Sequence, residues 1–173
     1  PTAINTQREA QLGQSTTDVR RCRTNMWQPW SDDPKMPIQW RQIALAEAGL
    51  SGNNASCIVL LRIYGRQIMI AGDIEARAEA ELLRQYAADL TSDILIAPHH
   101  GSNSSSTAAF LQRVAPSYVL ISAGLHNAFG HPRKVVTRRY WQLGSHWYNT
   151  AQHGQIVVTF APDGDYQVQP FLP

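Results

Sequence analysis

One carboxylate and three imidazoles stand where apolar runs of this chain end. Asp73 closes IMIAGD, His99 and His100 close DILIAPHH, and His131 lies in NAFGHP, beyond YVLISAG. Residues just past the carboxyl ends of strands in an α/β sheet gather at one edge, and ligands bind there. A carboxylate with two or three imidazoles at that edge makes a metal site. Imidazole suits zinc, manganese or iron, and a carboxylate can bridge two ions. Two ions about 3.5–4 Å apart suit in-line attack on a phosphodiester.

Each residue also has a plainer reading. Asp73 stands where the N-cap of a following helix would stand. Adjacent histidines on a strand point to opposite faces, so His99 and His100 reach one ion only if the chain turns at Pro98. Gly101-Ser102 reads as a turn, His131 as a loop histidine, and Asn53-Asn54 as turn residues. His126, His146 and His153 are scattered and are assigned no chemistry. No HxxxH or CxxC occurs.

The elements that would position these groups follow from hydrophobic pattern. CIVLLRIYG and QIMIAGD are apolar runs on either side of a Gly65-Arg66 break, which predicts a hairpin. Residues 74–90 carry Ala78, Leu82, Leu83, Tyr86 and Leu90 at helical spacing. SDILIAP reads as a buried strand stopped by Pro98. Residues 104–114 read as a helix that Ser104 to Ser106 could cap, and SYVLISAG as another strand. Residues 132–143 read as a helix opened by Pro132. HWYNT, QIVVTFA and DYQVQPF, with turns at His153-Gly154 and Asp163-Gly164, complete a β-rich tail. Before Cys57 the signal is weak. Residues 1–37 are polar and proline-bearing, IQWRQIALA leans to strand, and Gly49 to Asn54 reads as a turn. Trp27, Trp30 and Trp40 are expected to find a core. The alternation of strands and helices places the chain in the α/β class. One domain is expected, with 1–50 an irregular, β-rich lead-in and 51–173 the core that carries the site.

Composition excludes several classes. At 43% hydrophobic and 16% charged residues the chain is globular rather than disordered. No apolar stretch approaches the roughly 18 residues of a membrane span. A net charge of +2 does not by itself argue for nucleic acid. A start at Pro1 without methionine is expected for a piece of a longer protein. Cys22 and Cys57 cannot build a zinc site alone. They are either buried thiols or one disulfide, and spacing does not decide between these.

Together the motifs are more specific than any one of them. NNASCIVLLRI, IMIAGDIE, DILIAPHHGSNSSS, YVLISAG with NAFGHP, and HGQIVVTF resemble the metallo-β-lactamase-like domain of the ComEC-type competence proteins. That family consists of polytopic membrane proteins that take up transforming DNA. The resemblance runs from about Cys22 to Phe160 and is dense from Asn53 to Pro132. It implies a four-layer αββα sandwich with mixed sheets, of which this chain is the C-terminal part. It implies a two-ion centre of zinc or manganese. Asp73 matches the bridging aspartate, and the His99-His100 pair matches the family's histidine pair, with His100 preferred as the ligand. His131 matches a further active-site histidine, and with His99 it is a candidate catalytic group. Asn53 or Asn54 stands near a position held by a histidine ligand in related hydrolases, and Ser102 lines the same edge.

One departure from the family pattern is large. The motif HxHxDH, which supplies several ligands, does not occur here. The expectation is therefore a nuclease acting on single-stranded incoming DNA in the parent protein, and an inactive chain in isolation. The isolated chain would bind metal weakly or not at all. Expected partners are DNA, the missing N-terminal half of the domain and the membrane channel of the parent. A periplasmic location is expected, and a Cys22–Cys57 disulfide would agree with it. Two alternatives stand beside this reading. One is another metallo-β-lactamase-like hydrolase, such as a phosphorylcholine esterase or thioester hydrolase. The other is a metal-free domain that guides single-stranded DNA along the nine arginines and lysines between Arg62 and Arg139.

Overall fold

The structure is a computed structural model, and it describes residues 22–30, 32–33, 37–45 and 48–172. Most of the polar lead-in, residues 1–21, lies outside the described residues.

Nine strands and four helices follow in chain order among these residues. The strands are β1 (Gln28–Pro29), β2 (Ile38–Ile43), β3 (Ile58–Ile63), β4 (Arg66–Ile70), β5 (Ile94–Ile96), β6 (Tyr118–Ile121), β7 (His146–Asn149), β8 (Gln155–Phe160) and β9 (Tyr166–Phe171). The helices are α1 (Ala76–Tyr86), α2 (Ala108–Val114), α3 (Lys134–Leu143) and the single turn α4 (Thr150–His153). Strands β1 to β7 form one sheet in sequence order, and β8 and β9 form a separate hairpin. Pairings are antiparallel from β1 to β4 and parallel from β4 to β7. Each parallel step is bridged by a helix, because parallel neighbours need a crossover. The fold is mixed α/β, as the alternation of runs predicts.

The period of two along each strand sorts side chains onto two faces. Leu60, Met69, Leu95 and Val119 sit in register across β3 to β6 and are buried under Ala78, Leu82, Phe110, Leu111, Val136 and Tyr140. All three crossover helices therefore cover one face. Ile68, Ile94 and Tyr118 form the next register row, on the opposite face, with Ile156, Val158, Val168 and Tyr166 of the hairpin. Arg66 ties the hairpin to the sheet end: its Nε donates to Gly164 O at 2.6 Å and its guanidinium meets Asp93 at 3.2 Å. Each fully buried large side chain on the helix face contributes about 1.5–3 kcal/mol. The hairpin face is thinner, and Ile68, Ile70, Ile96, Ile156 and Val158 are only half-buried.

Several boundaries differ from the pattern reading, each for a local reason. The β3–β4 turn is Tyr64-Gly65, since Ile63 pairs with Arg66 and both turn residues have positive φ. Helix α2 starts four residues late because Ser104 to Ser106 form a turn; its cap is Thr107, whose hydroxyl accepts from Phe110 N. Pro132 does not open α3 but follows a cis bond from His131, and the helix begins at Lys134. The expected turn at His153-Gly154 is the end of α4. Trp27 and Trp40 are partly covered, and Trp27 carries Arg62 over its ring at 3.9 Å. Trp30 finds no core and is 60% exposed. The strand leaning of IQWRQI is realised as β2, which pairs with β3 over six residues. Cys22 and Cys57 form a disulfide that fixes the lead-in to the start of β3.

Candidate metal centre

The carboxyl ends of β4, β5 and β6 lead into three loops that meet. After β4, Gly72 adopts φ +62, and a Cβ there would sit 2.9 Å from Ser56 Cβ. This close approach lets Ser56 Oγ accept from Asp73 N at 3.1 Å while donating to Asn53 O at 2.7 Å. After β5 the chain turns at Pro98, and both His99 and His100 take positive φ, 48° and 55°. That turn cancels the strand alternation, so the two rings lie on one side, their centroids 6.5 Å apart. The turn is seated by His99 N donating to Gly72 O at 3.0 Å. After β6 the loop returns through His131, whose ring centroid is 5.9 Å from that of His99. Gly101 lets the second and third loops touch: a Cβ there would lie 2.7 Å from Pro132 Cβ.

Asp73, His99, His100 and His131 thus share one rim, where the strand ends place them. Asp73 is not the α1 cap. That position is Glu75, whose side chain makes no cap hydrogen bond. Asp73 instead brings Oδ1 to 3.5 Å from His100 Nε2, with the two side chains 44% and 50% exposed. His100 Nδ1 lies 2.8 Å from Ser122 O, and a carbonyl only accepts, so Nδ1 carries the hydrogen. The other nitrogen, Nε2, then faces a carboxylate oxygen, either as a second N–H or as a bare lone pair. Two acceptors at that separation need something positive between them, either a proton on Nε2 or a cation.

His99 is oriented from the other side. Its Nδ1 faces Glu75 Oε1 at 3.2 Å, and its Nε2 is 3.3 Å from Asn53 Nδ2. The carboxylate accepts, so Nδ1 donates, and Nε2 accepts from the amide. Ser104 Oγ donates to the same Glu75 oxygen at 2.8 Å. His131 lies against Phe129, and its buried Nδ1 has no hydrogen-bond partner. Burial, and after it repulsion by His99, Arg133 and His100 whenever these carry charge, holds its imidazolium below the usual histidine range. His131 is thereby held toward its neutral form.

The remaining candidates divide. Asn53 touches His99 and belongs to the rim. Asn54 does not: its Oδ1 accepts from Glu75 N and Ala78 N, both at 3.1 Å, and so caps α1 from a distant loop. Ser102 reaches the rim only through Ser104, its Oγ 3.0 Å away. Sequence reading passed over Glu75 and Ser104, which hold His99. The signal for Glu75 was present, an acid two residues after Asp73 at the start of a helix. It also passed over Glu79, which shares the buried face of α1 with Ala78 and Leu82.

The donors present match a divalent ion in kind. Asp73 and His100 offer a carboxylate oxygen and an imidazole nitrogen side by side, and the His131 ring stands beside His99. They do not suffice in number. Among the described residues no three His, Cys, Asp or Glu side chains converge as a cage, whereas a catalytic zinc takes three protein ligands and a structural one four.

No family model matches the chain. Curated proteins do. The chain is 40% identical over 65% of its length to "Uncharacterized protein YcaI" of Escherichia coli. It is 31% identical over 70% of its length to "Competence protein ComA" of Neisseria gonorrhoeae, and 30% identical over 64% to "ComE operon protein 3" of Bacillus subtilis. These stretches are 15, 17 and 14% of the three relatives, so the chain spans about a sixth of each. Over most of its length the chain is therefore similar to one short segment of long proteins that include competence proteins, which supports the resemblance read from IAGD, PHHGS and GHP.

Proposed function

We propose that this chain is the C-terminal part of a metallo-β-lactamase-like domain in a ComEC-type DNA-uptake protein. In that parent protein the domain hydrolyses phosphodiester bonds of incoming single-stranded DNA. The observation that carries the reading is the facing pair Asp73 Oδ1 and His100 Nε2, 3.5 Å apart on an open rim. An ion there would take the place that a proton on Nε2 otherwise fills. The name of the gonococcal relative supports the competence role.

A divalent ion, zinc or manganese, would supply Lewis-acid stabilisation of the phosphoryl oxygens. This chain's own residues do the rest. Asp73 and His100 present their donors, and Ser122 O fixes the His100 ring. Glu75 and Asn53 fix His99, whose imidazole faces the same rim. His131 presents its ring beside His99 at the same rim, held toward its neutral form by burial. The remaining ligands come from the N-terminal half of the domain, which packs on the half-buried hairpin side of the sheet. Alone, the chain has too few ligands to hold its ions and does not turn over. The Cys22–Cys57 disulfide supports a periplasmic site, since oxidising compartments preserve such bonds.

The test measures bound metal and cleavage of a single-stranded oligonucleotide, with manganese or zinc added. It compares this chain, the parent protein and the parent carrying Asp73→Asn. Cleavage by the parent alone is expected. A parent that binds both ions yet leaves DNA intact overturns the nuclease reading. Turnover by the isolated chain overturns the half-site reading.

A further inference from the structure

The loop between β6 and α3 carries more than His131. Phe129 and Leu125 stand on it 72% and 71% exposed. Exposed large apolar side chains on a slack loop would fold inward, but this loop is braced. Asn127 Nδ2 donates to Gly124 O at 3.0 Å and to His131 O at 2.8 Å, and its Oδ1 accepts from His131 N at 2.8 Å. The Phe129 ring is held nearly parallel to that of His131, 16° between planes and 5.8 Å between centroids. Its other surroundings are open. Phe129, His131 and His100 border a cavity of about 260 Å³ that Ser122, Ala123 and Gly124 also line. The neighbouring hollow is lined by Arg133 and Lys134, and the Arg133 guanidinium lies over Gly130.

We propose that Phe129 is a stacking platform for one unpaired nucleobase, held in this cavity while Arg133 and Lys134 receive the adjoining phosphates. The proposal rests on the nucleic-acid reading above and names the feature of the substrate that the site selects. Three physical arguments join these observations to it. A rigid, solvent-facing aromatic ring costs little entropy when a flat partner stacks on it. A base inside a duplex already has both faces covered, so only a splayed base can use the ring. Cationic side chains beside an aromatic ring complement a strand whose phosphates flank each base. Stacking contacts are tolerant of base identity, which suits a protein that must accept any sequence.

Fluorescence anisotropy with labelled oligothymidylate, without added metal and at low salt, tests this on the present chain. Replacing an exposed ring leaves the core intact, so Phe129→Ala is expected to fold. Stacking is worth about 1–3 kcal/mol per base, so Phe129→Ala should weaken binding about 5- to 150-fold. Phe129→Trp should restore it. An abasic oligonucleotide of equal length should bind the unsubstituted chain as weakly as oligothymidylate binds Phe129→Ala. Arg133→Gln should lower the dependence on salt, which Phe129→Ala should leave unchanged. Equal affinity for abasic, duplex and single-stranded probes overturns the proposal, as does an unaltered Phe129→Ala or an absence of binding. No ion and no cleavage enter the measurement. Failure of the nuclease reading in the parent is therefore seen separately from failure of the stacking site.

Discussion

Glu75 Oε1 lies 3.2 Å from His99 Nδ1, while Ser104 donates to the same oxygen from 2.8 Å. The carboxylate therefore fixes which nitrogen of His99 carries hydrogen and aims Nε2 at the rim. Carboxylate–imidazole pairs of this kind orient active histidines, and their loss typically costs about 10–100-fold in affinity or activity. In the parent protein Glu75→Ala is expected to reduce strand cleavage by about that factor. Glu75→Gln, which keeps an accepting oxygen, should recover most of it. A purely structural role would leave the imidazole itself unchanged, so the deciding readout is the nitrogen-15 spectrum of His99 in the isolated chain. Glu75→Ala should mix the two ring tautomers. An unchanged spectrum would remove Glu75 from the site.

The closeness of the PHHG turn and the GHP loop rests on Gly101. Its φ is +79, and a Cβ would meet Pro132 Cβ at 2.7 Å and Pro132 Cα at 3.2 Å. Proline cannot swing aside, and Arg133 N donates to Gly101 O at 3.0 Å across the same contact. Gly101→Ala therefore combines backbone strain with overpacking, and about 2–4 kcal/mol of destabilisation is expected. Gly144→Ala is the control, since φ there is +83 but nothing lies within 4 Å of an added Cβ. It should cost about 1–2 kcal/mol, from backbone strain alone. Urea unfolding of both variants measures the difference. Equal losses would mean that the two loops part without cost.

Local pattern carried the elements, while the site needed contacts that pattern does not encode. Period two in ILI and YVLI, and the spacing of Ala78 and Leu82, announce strands and a helix because each element buries one face. The strand-end rule then brings Asp73, His99, His100 and His131 to one rim. Whether His99 and His100 could cooperate depended on two left-handed residues after Pro98. Two histidines are poor predictors of that conformation, because ordinarily glycine supplies it. Asn54 read as a turn residue because its partners, the first amides of α1, are more than 20 residues away in sequence. The disulfide stayed undecided for the same reason. Thirty-five residues separate Cys22 from Cys57, and only the pairing of β2 with β3 brings the lead-in back to that point.

Glu79 offers a test of how the Ser104 turn is supported. It is fully buried on α1, and its two oxygens accept from Ser106 N at 2.5 Å and Thr107 N at 2.8 Å. That turn carries Ser104 to Glu75 and so to His99. Burial raises the Glu79 carboxyl above its ordinary value of 4.5, outweighing the hydrogen bonds from Thr107 and Ser106 and the charge of Arg139. The native state then holds this proton to higher pH than the unfolded chain does. Stability from this group is fully present below the ordinary value and falls as pH rises through the raised one. The contribution to the slope is at most one proton's worth, about 1.4 kcal/mol per pH unit. Glu79→Gln removes the titration. It also turns an amide N–H toward a backbone N–H, so the variant should be less stable at every pH. The deciding quantity is therefore the slope. Urea unfolding of both chains from pH 4.5 upward should show the unsubstituted chain losing stability faster with pH than Glu79→Gln, every other titrating group cancelling in the difference. Parallel curves would show that Glu79 is ionised in both states and that its hydrogen bonds, rather than its burial, govern its proton.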